Sequence, residues 1–96
     1  MASVVIGFAT ICETYPDCWG IRIDVSGPQD AAVLATAHRV CADVVESVRG
    51  AIYVENASGR DACYRVRIET EGGDKTTAVR ISDTLNEGVV AKWRAQ

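Results

Sequence analysis

Two stretches of strict apolar–polar alternation, set 45 residues apart, constrain this chain more than any other feature. In the first, Trp19, Ile21, Ile23 and Val25 alternate with Gly20, Arg22 and Asp24. In the second, Tyr64, Val66, Ile68 and Thr70 alternate with Arg65, Arg67 and Glu69. A period of two puts one set of side chains on each side of a strand, so each stretch predicts a strand with one buried and one wetted face. A shorter apolar strand precedes each: Val4 to Cys12, and Ala51 to Glu55. Turn formers join the members of each pair, Thr14-Tyr15-Pro16-Asp17 in one and Asn56 to Asp61 in the other, which predicts two hairpins.

A helix is expected after each hairpin. The first opens at Gly27-Pro28, with Asp30 at its positive end. Val33, Leu34, Ala37, Val40, Cys41, Val44, Val45 and Val48 form its apolar face, and Gly50 is a natural stop. The second follows Gly72-Gly73 with Asp74 as cap, on a stripe of Ala78, Ile81, Leu85, Val89 and Trp93. Gly88 weakens it, and Thr76 to Ile81 read alone also suits a short strand.

Sliding the chain by 45 residues lays Arg22, Ile23, Gly27, Val44, Val45 and Arg49 on Arg67, Ile68, Gly72, Val89, Val90 and Arg94. The expected fold class is therefore α+β, a ββα-ββα pseudo-repeat. Its four-stranded antiparallel sheet carries two helices packed on one face. Ninety-six residues allow a single domain over 1–96, with halves at roughly 3–50 and 51–96.

Composition narrows function by exclusion. A net charge of −3 with ten scattered basic residues gives no basic stripe for nucleic acid or an anionic membrane. No apolar run approaches the length that spans a bilayer. The first residues lack a signal-peptide pattern, which fits a cytosolic chain or a mature form with an added Met.

The four cysteines suggest two disulfides, Cys12–Cys18 across the first hairpin and Cys41–Cys63 between helix and sheet, against the alternative of four reduced thiols. Their spacing does not suit zinc, and no cofactor or metal is expected. His38 and Cys41 share a helix face, but a mid-helix cysteine on the packing side is a poor nucleophile. No phosphate loop or inward carboxylate pair is present, so no enzyme is expected.

What remains is surface. Arg22, Arg65 and Arg67 on the wetted sheet face, and Tyr15 and Asp17 at the first hairpin tip, are the candidate binding residues, because arginine and tyrosine are enriched at binding hot spots. The expected function is a small non-enzymatic domain that binds another protein. The cysteines and the acceptor triplet Asn56-Ala57-Ser58 tilt its setting toward a secreted, disulfide-stabilised effector or toxin-like protein. A cytosolic inhibitor or adaptor of phage or mobile-element type is the alternative. A third is a small dimeric ligand-binding domain or enzyme with its site on the sheet face. The first strand, apolar on both faces, suggests a homodimer through that strand.

Overall fold

The computed structural model describes residues 3–57, 59 and 61–96. The alternating stretches form the two central strands, β3 (Cys18–Gly27) and β5 (Ala62–Thr70). They run antiparallel with Arg22 opposite Arg67, Ile21 opposite Ile68 and Ile23 opposite Val66. Outside β5 lies β4 (Gly50–Ala57); outside β3 lie two shorter strands, β1 (Val5–Ile6) and β2 (Thr10–Tyr15). The sheet thus has five strands, in the order β1 and β2, then β3, β5 and β4.

A bulge explains the fifth strand. Val5 and Ile6 pair with Ser26 and Val25, while Thr10 and Ile11 pair with Arg22 and Ile21, so Gly7, Phe8 and Ala9 oppose only Ile23 and Asp24. One extra residue interrupts the ladder. The phase slip puts Ile6, Ala9 and Ile11 on the helix side together, with Ile6 and Ala9 buried and Ile11 half-buried. The same slip accounts for a first strand that reads as apolar on both faces. Val5 (57% exposed) and Phe8 (59%) are left in solvent, and the guanidinium of Arg94 lies over the Phe8 ring at 4.1 Å.

Helix α1 (Asp30–Ser47) starts two residues after Pro28, with Gln29 in the capping position. Val33, Ala37, Val40 and Val44 are buried along it, at the spacing of one helical face. Gly50 is not its stop. Val48 already leaves the helix in an extended conformation, and Gly50 is the first residue of β4.

After β5, Gly72 and Gly73 reverse the chain with φ of 82° and 65°, left-handed values that suit glycine. Asp74 then caps α2 (Lys75–Leu85), its carboxylate accepting from the Thr77 amide at 3.0 Å. The stretch Thr76 to Ile81 is helical, not a strand. A wide π turn over Asn86–Val90 carries α2 into α3 (Ala91–Arg94) without a break. It contains Gly88 and shifts the buried stripe by one position, from Ala78, Ser82 and Leu85 to Val90 instead of Val89.

Both helical rods cover the face formed by Ile21, Ile23, Val25, Val66 and Ile68, all completely buried. Each such side chain contributes about 1.5–3 kcal/mol over leaving it in water. The Trp93 indole donates to Asp43 at 2.7 Å, tying the end of the second rod to α1. Among the described residues no helix lies over the opposite face of the sheet, so the side chains standing on it are partly exposed to solvent. Among the described residues, no helix is long and apolar enough to cross a membrane.

Candidate functional site

Parity decides what stands on the open face. With odd residues of β3 and even residues of β5 turned to the helices, Arg22 and Asp24 of β3 and Cys63, Arg65, Arg67 and Glu69 of β5 point away from them. β4 adds Tyr53, opposite Arg67, and Glu55, opposite Arg65; β2 adds Thr10, opposite Arg22. Three arginines and three carboxylates therefore share one flat surface.

The pairing among them is uneven. Arg65 Nε meets Asp24 Oδ1 at 2.8 Å, a short charge-assisted bond, and this bond raises the Arg65 pKa against the opposing effect of burial. Arg67 Nη1 reaches Glu55 Oε1 only at 3.4 Å. Its Nε is buried without a hydrogen-bond partner, the one such side-chain atom among the described residues. Arg22 donates to the Thr10 hydroxyl at 3.2 Å and has no ion pair among the described residues. Glu69 is occupied by the Tyr53 hydroxyl at 3.2 Å. Arg22 and Arg67 thus stand opposite each other in the β3–β5 register, and each reaches outward to a different neighbouring strand, Arg22 to Thr10 of β2 and Arg67 to Glu55 of β4.

Arg22, Arg65 and Arg67 are brought together; Tyr15 and Asp17 are not with them. Tyr15 pairs with Cys18 and is 66% exposed, and Asp17 takes φ of 62° in the two-residue turn after it. Four residue steps along the strand separate Cys18 from Arg22, about 13 Å at 3.3 Å per residue. The hairpin tip is a second, separate patch. Sequence reasoning missed Tyr53 and Glu55, although their alternation with Ile52 and Val54 carries the same signal as the central strands.

The disulfide expectation fails, because all four cysteines are free and stand at four different places. Cys12 pairs in register with Gly20, and a second bulge at Thr14 puts Tyr15 opposite Cys18. The Cys18 sulfur lies instead against Gly73, where a Cβ would strike it. Cys41 belongs to the helix layer, whereas Cys63 pairs with Ser26 and Ala57 and shares the phase of Arg65 and Arg67. The sheet stands between them, and no sulfur–sulfur bond spans it. Of the sequon, Asn56 lies in β4 opposite Tyr64, and Ser58 is outside the described residues.

Burial raises the thiol pKa of Cys41, and burial together with the Asp24 carboxylate raises that of Cys63. Both shifts move away from the thiolate that a nucleophile uses. At pH 8, alkylation of these two thiols by iodoacetamide is therefore expected to lag behind that of an unstructured cysteine. Intact mass should show four modifications once the chain is unfolded. Since the folded chain holds these protons more tightly, stability is full below the unfolded thiol pKa and declines as pH rises through the folded values.

Shallow clefts lie elsewhere among the described residues, three of them as follows. Two adjoin, of about 240 and 280 Å³, between β1 and the helix ends, with Val4, Ile6 and Trp93 lining both. The third, about 330 Å³, lies between β2 and α2 and is lined by Ile11, Val79, Ser82 and Asp83 among others. No three His, Cys, Asp or Glu side chains cluster as metal ligands among the described residues. Comparison with family models, curated proteins and solved structures finds no match to this chain.

Proposed function

We propose that this protein is a non-catalytic binding domain whose open sheet face engages an acidic surface of another protein. The observation that carries the reading is the facing pair Arg22 and Arg67. One guanidinium has a buried, unpartnered Nε and the other no carboxylate. A partner carboxylate laid over this row meets the exposed ends of the guanidiniums, and Arg makes such bonds with two donors at once. The flanking Asp24–Arg65 pair and the Tyr53 ring hold the surroundings in place and limit which acidic surfaces fit.

A duplicated ββα unit explains why two arginines meet. Shifted by 45 residues, the buried Val33, Ala37 and Val40 of α1 fall on the buried Ala78, Ser82 and Leu85 of α2. The same shift exchanges the pair Ile21–Ile68 with the pair Ile23–Val66 and maps Arg22–Arg67 onto itself. We infer an internal pseudo-twofold axis through that pair, so one ancestral arginine stands opposite its own copy.

Four separated thiols, two of them with raised pKa, support a reducing compartment and hence the inhibitor or adaptor setting over a disulfide-stapled effector.

The test is quantitative affinity capture from the source cell, comparing the native chain with Arg22→Glu and Tyr15→Ala. Partners lost with Arg22→Glu and kept with Tyr15→Ala are the expected result, with a loss of tenfold or more for a desolvated charge at the centre of an interface. Loss with Tyr15→Ala alone assigns binding to the hairpin tip. Capture indifferent to Arg22 removes the sheet-face reading.

A further inference from the structure

The two edges of this sheet are treated differently. On the β1–β2 side two bulges break the ladder, and side chains from the second helical rod take up exposed backbone groups. Asn86 both accepts from the Ala9 amide at 2.7 Å and donates to the Ala9 carbonyl at 3.0 Å; Ser82 donates to the same carbonyl at 2.9 Å. Arg94 donates to the Ile6 carbonyl. These are the usual means by which a sheet edge is closed to further strands.

The β4 edge has none of them. Its eight residues, Gly50 to Ala57, pair with β5 in unbroken register, without proline, lysine or bulge. No side chain bonds to the β4 backbone among the described residues. An apolar strip runs beside it. Ile52 and Val54 face the helix side, opposite buried Ile68 and Val66, yet both are only half-buried, at the margin of the cover that α1 gives the sheet. On α1, Cys41 is also half-buried and Val45 is 57% exposed, and Val48, just past the helix end, is half-buried. At 100° per residue Cys41 and Val45 turn away from Asp43, which meets α3, and so toward the β4 side of the helix.

We propose that β4 is the interface with a second copy of this chain, the two β4 strands pairing antiparallel about a twofold axis at Tyr53. Directly opposed residues point to the same side of a sheet, so both helix layers share one side only where odd residues meet odd. Centring on Tyr53 sets Ile52 against Val54 of the second copy, which continues the apolar strip. It sets Tyr53 against its own copy on the open face. Glu55 meets Ala51, so the one charge on β4 avoids its copy. Centring on Val54 sets Ile52 against Asn56 and Tyr53 against Glu55, a poorer match on both faces. The pairing forms one continuous sheet, buries Val45, Ile52 and Val54 together, and joins two arginine faces into a single longer surface. Dimerisation through the first strand is the alternative, though side chains already occupy the Ile6 carbonyl and both backbone groups of Ala9 on that edge. The β4 pairing does not depend on what the arginine face binds.

Sedimentation equilibrium on the full chain tests this, with thermal melting as a check on each variant's fold. A dimer is expected, weakened about tenfold or more by Ala51→Glu, whose carboxylate faces Glu55 of the second copy twice per dimer. Val45→Glu, on the exposed helix surface, should weaken it similarly. Ala51→Lys should hold or tighten it, since the introduced charge opposes that of Glu55. A strict monomer at about 0.5 mM, where a submillimolar constant is visible, overturns the proposal. So does a dimer unaffected by all three changes, and equal weakening by Ala51→Lys and Ala51→Glu overturns the register.

Discussion

Replacing Gly50 with alanine is expected to cost at least about 3 kcal/mol, a large share of the roughly 5–15 kcal/mol by which a small domain is stable. Gly50 holds φ of 148°, a region that side chains rarely enter, and its added Cβ would overlap the Glu69 carbonyl oxygen across the β4–β5 ladder. Relief requires β4 to swing away from β5 at its first residue, which unpairs Gly50 from Thr70 and Ala51 from Glu69. Urea denaturation followed by circular dichroism measures the loss. Gly88→Ala is the matched control. Its Cβ would meet nothing within 4 Å, and it sits in a helical segment, so a gain of about 0.5–1 kcal/mol is expected there. Equal behaviour of the two variants would contradict the geometry assigned to Gly50.

The second large effect is expected at Asn86. Its amide acts as a substitute strand segment, satisfying both the N–H and the C=O of Ala9, which is 4% exposed at the bulge between β1 and β2. Asn86→Ala leaves the Ala9 amide without a partner, while Ser82 still serves the carbonyl. The expected cost is about 2–3 kcal/mol. Asn86→Asp keeps an acceptor for the amide but turns a carboxylate toward the Ala9 carbonyl. Its cost should exceed that of alanine at pH 7 and shrink in acid, where a protonated carboxyl can donate again. The sign follows from the folded-state pKa of this aspartate lying above its unfolded value. The stability it contributes is present below the unfolded pKa and is lost as pH rises through the folded one. Melting curves of the two variants between pH 4 and 7 separate these behaviours, because the alanine variant has no such group.

Several of these features were legible in the residues. The alternation at 19–25 and 64–70 identified the central strands, and one wide apolar face identified α1. Asp74 and the glycine pair before it marked where the second helix begins. The bulges were not legible. A single inserted residue leaves only a phase slip, and in the run Val4 to Ile11 that slip reads as a strand apolar on both sides. The π turn hid for the same reason: Val89 and Val90 are adjacent and equally apolar, so nothing in the composition says which is buried. The cysteines are a different case. Cys63 has the phase of Arg65 and Arg67, so its side of the sheet was written in the sequence. Pairing it with Cys41 relied on its place at the start of the strand and overlooked that parity. For the candidate site, the three arginines were readable as one face. Their crowding was not, because it depends on the register between β3 and β5, which no local pattern encodes.

The π turn at Asn86–Val90 has a consequence for how this helix tolerates change. In a regular helix an added residue rotates everything after it by about 100°, which here would turn Trp93 off Asp43 and Arg94 off the Ile6 carbonyl. A widened turn takes up the surplus on the spot, and the rod leaves it with its bearings unchanged. The segment therefore works as a spacer joint: chain length can drift at this place while the aim of the last four residues is kept.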